Sequence, residues 1–296
     1  MRDMSHRGTI KIEQCEITER HVHADGQFVL RMHGPRIARD ATPGSFVHLT
    51  CAPTMAMRRP LSIMRVSRDE GWFDVLFKDV GAGTKALGER GVGDSVSALG
   101  PIGRGFSADR ERPINLLIGG GVGIPPMVFL AEHLVEQGSP PALVIMGSEI
   151  PFPFTLGTAT QSIPGVAHGI SATMADLAAL DVPTRLTSTQ GYSDCYNGYV
   201  TGLARDWLAA LPDSDLARVT VYACGPNPML AATAKLAAEF KVSTQVSLEE
   251  YMACAVGGCA GCAVAINTPN GPAMKRVCVD GPVFDGSTVD WNTVCH

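Results

Sequence analysis

The stretch from residue 114 to 146 leaves a chain the fewest choices. "INLLI" (114–118) is an unbroken apolar run of strand length, and "GGGVG" (119–123) follows it as a turn. "PPMVFLAEHLVEQG" (125–138) then carries apolar residues at helical spacing, with proline at its first positions and Gly138 at its end. "ALVIM" (142–146) is a second buried strand. Strand, helix, strand in so short a span is a βαβ unit, which requires a parallel sheet. "VTVYA" (219–223), "PMLAATAKLAAEF" (228–240) and "STQVSL" (243–248) repeat the theme, so residues 109–248 are expected to form an α/β domain. Between 150 and 200 the chain is rich in Pro, Gly, Ser and Thr, and no periodicity fixes its elements.

The preceding residues, 8–108, read differently. "GQFVLRMH" (26–33), "GSFVHLT" (44–50), "RPLSIMRV" (59–66), "GWFDVLFK" (71–78) and "DSVSALG" (94–100) are short, several alternate, and Gly, Pro or Asp separate them. Strands at this spacing predict an antiparallel barrel or sandwich, interrupted by one turn of helix near Thr84–Arg90. A length of 296 residues suits two domains and a small module, and 45% hydrophobic against 18% charged content supports a large core. The net charge of −5 and the lack of a basic stripe argue against nucleic acid as a partner. The opening "MRDMSHRGTIKIEQ" lacks the apolar stretch of a signal peptide, and no run of eighteen apolar residues offers a membrane span. The expected location is cytoplasmic, where thiols stay reduced. Nine cysteines, unevenly spread, are then not a disulfide framework.

Four of the nine crowd into residues 254–278, within the segment 249–296. Cys254, Cys259 and Cys262 stand as C-x4-C-x2-C, and Cys278 follows after fifteen residues, the spacing of plant-type [2Fe–2S] proteins. Four thiolates must converge on a small anionic cluster, with amide N–H groups aimed at the sulfurs. Gly257, Gly258 and Gly261 are expected to supply the turns, and the intervening alanines allow close approach. Zinc competes less well, because structural zinc sites pair cysteines on both arms and the second arm here holds one.

"LIGGGVGIPPM" (117–127) sets Gly119, Gly120, Gly121 and Gly123 between a buried strand and a helix, where backbone N–H groups can cradle a pyrophosphate. It is not the strict G-x-G-x-x-G pattern, and glycines alone also serve plain βα turns. "YACGPNPM" (222–229) presents Cys224, Gly225 and Pro226 at another strand end, where ligands of open α/β sheets bind. Glu149, past the second strand, is placed to bind a ribose hydroxyl; this favours NAD, with NADP not excluded. In the first domain, "MRRPLSIM" (57–64) carries Arg59, whose fork suits a phosphate, and Ser62, which can hydrogen-bond a planar ring. "KDVGAGTKAL" (78–87) adds a glycine turn and a threonine.

Taken in order, R-P-x-S, the G-x-G-T loop, "LGPIGRGF" (99–106), the GGG-V-G-x-x-P turn and C-G-P resemble the ferredoxin–NADP reductase superfamily. With the four cysteines and "KRVCVDGPVF" after them, the chain from about residue 8 to 286 is similar to the PyrK-type electron-transfer subunits of NAD-dependent (class 1B) dihydroorotate dehydrogenase. The resemblance implies three parts: an FAD-binding β-barrel (8–108), an NAD-binding α/β domain (109–248) and a [2Fe–2S] module (249–296). It places Arg59, Pro60, Leu61, Ser62, Leu76, Phe77 and Lys78 along the flavin, with Gly83 and Thr84 at its pyrophosphate. Gly119 to Gly123 would hold NAD, and Cys224, Gly225 and Pro226 would meet the nicotinamide beside the flavin. Ser62 and Cys224 would tune and position the hydride step rather than react covalently. Cys254, Cys259, Cys262 and Cys278 would ligate the cluster.

The implied activity is electron exchange between NAD(H) and a partner redox protein, a dihydroorotate dehydrogenase catalytic subunit, in a hetero-oligomer serving pyrimidine biosynthesis. Related chains that serve as diaphorase subunits of sulfhydrogenases, or of electron-bifurcating NADH-dependent ferredoxin:NADP oxidoreductase, fit the same motifs. A redox sensor that holds the cofactors without turnover is the alternative of another class. The loop "TSTQGYSDCYNGYVTGL" (187–203) matches the family's acidic-glycine loop only loosely, with Cys195 where a small residue is usual. Cys15, Cys51, Cys195 and Cys295 are expected to be ordinary thiols, and the tail ending in Cys295 and His296 carries no assigned role.

Overall fold

A computed structural model describes residues 10–294; Cys295 and His296 lie outside the described residues. Six strands close the first domain into an antiparallel barrel: β1 (Lys11–His23), β2 (Gln27–His33), β3 (Phe46–Leu49), β4 (Arg59–Ser67), β5 (Trp72–Lys78) and β6 (Ser95–Ile102), in the order β1-β2-β5-β4-β3-β6. Alternation fills the interior with Ile17, Leu30, Met32, Val47, Leu49, Ile63, Phe73, Val75 and Phe77. Closure removes the exposed edges that β1 and β6 would otherwise present. Helix α1 (Pro35–Asp40) fills the β2–β3 connection, and α2 (Ala82–Gly88) follows β5.

The α/β domain starts with β7 (Ile114–Gly120), α3 (Ile124–Glu136) and β8 (Leu143–Gly147), the predicted βαβ unit. The segment that resisted sequence reading holds the hairpin β9 (Leu156–Thr158) and β10 (Ala172–Met174), helix α4 (Ala175–Ala179), then β11 (Thr184–Ser188) and β12 (Tyr196–Asn197). Helices α5 (Val200–Ala209) and α6 (Asp213–Leu216) lead to β13 (Val219–Cys224), α7 (Asn227–Phe240) and β14 (Ser243–Ser247). The remainder comprises the hairpin β15 (Ala263–Thr268) and β16 (Gly271–Arg276), α8 (Val277–Asp280), β17 (Val283–Asp285) and α9 (Trp291–Val294). The large sheet runs β12-β11-β8-β7-β13-β14-β17. All its pairs are parallel except β14–β17, so the chain returns from the cysteine module to edge the sheet. Because β8 and β11 build outward on one side of β7 and β13 and β14 on the other, strand order reverses between β7 and β13. That reversal opens a crevice at the carboxyl ends of these strands.

The barrel and the sheet are fixed to each other. Helix α3 lies against β4, and Met64 and Leu76 from the barrel share a core with Ile124, Met127 and Val128. Arg65 Nε donates to Glu132 at 2.7 Å and its Nη2 to Asp176 at 2.9 Å, joining β4 to α3 and α4. The Arg65 and Glu132 side chains retain 18% and 25% exposure, so this pair is shielded more than a surface bridge. Removing the cation strands a half-buried carboxylate. Arg65→Ala is therefore expected to lower unfolding free energy by about 2 kcal/mol in denaturant titration. A loss under about 0.5 kcal/mol would mean the bridge behaves as an exposed one.

The motif "LGPIGRGF" docks the C-terminal return. A Cβ on Gly103 would lie 2.4 Å from Pro282 Cδ, and the Arg104 N–H donates to Gly281 O at 2.6 Å. The barrel, the sheet and the cysteine segment thus meet at one junction.

Candidate functional site

Strand β4 carries Arg59 to Ser62, and its alternation separates them. Leu61 packs on the barrel core and Phe77 lies within it, so these two support the strands from inside. Leu76 faces outward into the core shared with α3. Arg59, Pro60, Ser62 and Lys78 are half-buried. Arg59 extends across the β5–α2 loop; a Cβ on Gly83 would lie 2.7 Å from its Nε. The guanidinium is held by the carbonyls of Met57, at 3.0 Å, and Arg58, at 3.2 Å. Thr84 Oγ1 accepts the N–H groups of Val80 and Gly81 at 3.1 and 3.2 Å. Its hydroxyl therefore shapes the loop, while Gly81 presents open backbone with nothing within 4 Å of a Cβ position. A forked cation over an open glycine loop suits a pyrophosphate, so the residues fit a flavin dinucleotide on this face.

Across the crevice, Gly119 pairs with Cys224 and Gly120 with Gly147 in the sheet. Gly121 has φ +55° and an open Cβ position, leaving its backbone accessible beyond β7. Gly123 is pressed onto the neighbouring strand end: a Cβ there would lie 2.2 Å from Cys224 O and 2.5 Å from Gly225 N. The two glycine motifs, a hundred residues apart, are thus one surface at the point where strand order reverses. Open glycine backbone ahead of α3 fits a dinucleotide.

Glu149 lies past β8 and accepts the Thr189 N–H at 3.3 Å, the Thr189 hydroxyl, and Gln190 Nε2 at 3.1 Å. The Thr189 hydroxyl, outweighing a slight desolvation, holds the exposed Glu149 carboxyl below its ordinary value and so charged. Cys224 is 1% exposed, and burial, with Glu249 nearby, pushes its thiol far up. It stays a neutral thiol that can fill and position but not attack.

Glu249 is a residue that sequence reasoning missed. It keeps open surface, yet desolvation raises its carboxyl above the ordinary carboxylate range and Cys224 feels its charge. It follows β14, whose Ser247 pairs with Cys224, which puts a carboxylate near the Cys224–Gly225 strand end. Its folded-state pKa is raised, so between the ordinary value of 4.5 and the raised one the folded chain holds more protons than the unfolded chain. Stability falls as pH rises through that window. Glu249→Gln is expected to flatten the fall, read from denaturation midpoints across pH. Identical pH profiles for both proteins would contradict this placement.

The cysteine loop follows Glu249 in the chain. Cys262 and Cys278 Sγ atoms lie 3.3 Å apart, and the Cys259 N–H points at Cys254 Sγ at 3.4 Å. The Gly261 N–H points at Cys259 Sγ at 3.5 Å. Burial raises the Cys254 thiol, but the N–H groups of Cys259, Val256 and Gly258 and the Cys259 side chain outweigh it and bring it down to about 7. Burial, then the Cys262 neighbour, pushes Cys278 up to about 12. Among the described residues no three His, Cys, Asp or Glu side chains converge as one metal ion requires. The thiols fall instead into two pairs, Cys254 with Cys259 and Cys262 with Cys278. Two irons sharing four thiolates need that arrangement, and amides aimed at sulfur suit an anionic cluster.

The loop's turns are only partly the predicted ones. Gly257, at φ +79°, is obligatory, since a Cβ there would also meet Val279 at 2.8 Å. Ala255 and Ala260 hold the other left-handed positions, at φ 54° and 55°. Gly258 and Gly261 are not left-handed; their missing Cβ atoms leave room beside Cys254 and Cys259 Sγ, at 4.0 and 3.6 Å. Arg276 ties the two arms, donating to Gly257 O at 2.9 Å and to Asp280 at 3.3 Å. That explains the residues flanking Cys278 in "KRVCVDGP". Of the presumed ordinary thiols, Cys15 and Cys51 are buried in the barrel, and burial pushes Cys15 up to about 12.

A barrel joined to a parallel α/β sheet, with glycine loops facing each other and a four-cysteine loop at the junction, defines a ferredoxin-reductase-like redox chain. Residues 249–290 match the family described as the iron–sulfur cluster binding domain of dihydroorotate dehydrogenase B. The electron transfer subunit of dihydroorotate dehydrogenase B (NAD(+)) from Desulforamulus reducens is 31% identical over 287 residues, covering 95% of this chain and 99% of that relative. The same subunit from Bacillus mycoides is 33% identical over 286 residues, covering 95% and 97%. Among solved structures, that of an NADH-dependent reduced ferredoxin-NADP oxidoreductase superposes with a TM-score of 0.76 at 27% identity, over 95% of this chain and 91% of that one. The ferredoxin reductase of carbazole 1,9a-dioxygenase, with a TM-score of 0.60 at 19% identity over 79% and 67%, shares the fold. The chain belongs to the dihydroorotate dehydrogenase B electron transfer subunit family, and it is an oxidoreductase subunit. Among the described residues no helix is long and apolar enough to cross a membrane.

Proposed function

We propose that this chain carries electrons between NAD(H) and the catalytic subunit of a dihydroorotate dehydrogenase, within a hetero-oligomer. The observation that supports this reading is the joining of barrel, sheet and cysteine segment at Gly103–Pro282, with the two glycine motifs packed together at Gly123–Cys224. The division of labour is 8–108 for FAD, 109–248 for NAD and 249–296 for the cluster. FAD bound there would supply two-electron exchange with a nicotinamide and one-electron exchange with a [2Fe–2S] cluster.

The chain's own residues position these groups. Arg59 neutralises phosphate charge over the Gly81–Gly83 loop, with Thr84 fixing that loop's shape. Pro60, Ser62 and Lys78 line the flavin face, Leu76 anchors its strand to α3, and Leu61 and Phe77 hold its strands from within. Gly121 offers open backbone for pyrophosphate, with Gly119, Gly120 and Gly123 letting the strand ends pack closely behind it, and Glu149, held charged, accepts from ribose hydroxyls, which selects NAD over a phosphorylated NADP ribose. Cys224, Gly225 and Pro226 close the crevice where the nicotinamide meets the flavin. Hydride exchange between a nicotinamide and a flavin there would require no acid or base from these residues.

Mixing the loaded chain with a dihydroorotate dehydrogenase catalytic subunit tests the proposal. Dihydroorotate-dependent NAD reduction should appear only when both are present. Co-purification with a hydrogenase or a large flavoprotein subunit instead would transfer the chain to the diaphorase reading. Failure of NADH to bleach the flavin would support a sensor.

A further inference from the structure

Arg185 stands apart from the carriers. It occupies the second position of β11, is 3% exposed, and has no carboxylate within ion-pair distance among the described residues. Its Nη1 donates to Thr184 O at 2.8 Å and its Nη2 to Gln161 O at 2.5 Å, while the buried Nε has no partner. Burial with nothing to offset it lowers the Arg185 pKa. A guanidinium has five N–H donors, and a buried cation without an anion is costly.

The 159–171 loop between β9 and β10 folds over this side chain and leaves a cavity of about 110 Å³. Thr160, Gln161, Ser162, His168 and Ser171 line it with Arg185. At about 30 Å³ per water molecule the cavity holds three or four, the room of a small anion rather than a nucleotide. The loop is anchored independently: Ile163 is buried in the main core, and a Cβ on Gly165 would lie 2.2 Å from Asp206 O on α5. The loop that covers the cavity is thus held to the core, while its rim residues Thr160, Gln161, Ser162 and His168 stay exposed and leave a way in from solvent. Four residues of strand, about 13 Å, separate Arg185 from Thr189 at the ribose end of β11.

We propose that Arg185 and the 159–171 loop form a binding site for a small oxyanion of the size of inorganic phosphate, separate from the dinucleotide sites. The anion's oxygens take the free guanidinium N–H groups and the loop hydroxyls, neutralising Arg185 and tying the loop to β11. Binding therefore stabilises the loop.

The test uses the FAD- and cluster-loaded chain with saturating NAD, which occupies the pyrophosphate cradle. Inorganic phosphate is titrated at constant ionic strength by calorimetry and by thermal midpoint. Saturable binding of one phosphate per chain with a rising midpoint is expected. Arg185→Lys, which keeps the charge but loses the fork, should weaken that affinity at least tenfold. His168→Gln should weaken it measurably while leaving the midpoint without phosphate unchanged, and it serves if the Arg185 variant does not fold. Absence of saturable binding to the wild-type chain would overturn the proposal. So would equal affinity in the variants, or loss of phosphate binding on adding NAD, which would place the anion in the pyrophosphate cradle.

Discussion

Cys259→Ser is expected to abolish the visible absorption of the cluster and to cut electron delivery to a protein acceptor by at least about 100-fold. NADH-driven reduction of a two-electron dye should remain within roughly threefold of wild type. Cys259 is exposed on its loop and contributes nothing to the hydrophobic cores, so the substitution spares the fold. Its sulfur receives the Gly261 N–H and pairs with Cys254, positions a serine hydroxyl cannot fill as a soft anionic ligand. The flavin face rests on β4, β5 and the Gly81–Gly83 loop, none of which depends on this loop's cysteines. Dye activity that vanished while FAD stayed bound would mean that electrons leave by another order of carriers.

Gly123→Ala is expected to reduce NADH-dependent flavin bleaching by about 100-fold and to cost about 3 kcal/mol of stability. The added methyl would sit 2.2 Å from Cys224 O, 2.4 Å from Cys224 C and 2.5 Å from Gly225 N. All three are main-chain atoms at or just past the end of β13, so no side-chain rotation relieves the clash and the glycine turn must part from that strand end. Parting them opens the crevice where both glycine motifs meet. FAD and cluster spectra should persist, since their ligands sit on other elements. Gly121→Ala is the internal control: its φ of +55° strains an alanine by about 1 kcal/mol, but nothing lies within 4 Å of the new methyl. Anaerobic stopped-flow measurement compares the three proteins; wild-type bleaching in the Gly123 variant would refute the packed junction.

Legibility in the sequence followed how local each signal was. The βαβ unit and five barrel strands announced themselves by apolar runs and turn residues. Strand β1 did not, because "KIEQCEITERHVH" points Cys15 and Ile17 inward while Ile12 and Val22 remain exposed at 63% and 57%, which spoils the alternation. The short strands β9 to β12 take their stability from distant partners, as in β11 beside β8, and no window of sequence contains that pairing. Strand β17 is antiparallel at the edge of an otherwise parallel sheet, and only the docking of Gly103 against Pro282 brings it there. The cysteine spacing singled out four candidate ligands, since that signal depends on separation along the chain. It did not say which small residues turn the loop, and Ala255 and Ala260 took positions expected of glycine. Glu249 and Arg185 gave no motif at all. One matters because β14 ends beside Cys224, the other because a distant loop covers it.

The most direct test of three carriers in one chain is anaerobic: measure iron and acid-labile sulfide per chain, add NADH, and integrate the low-temperature paramagnetic signal. Two irons and two sulfides per chain, bleached flavin and about one reduced-cluster spin are predicted. Zinc in place of iron, or a cluster that stays oxidised while the flavin bleaches, would contradict the account.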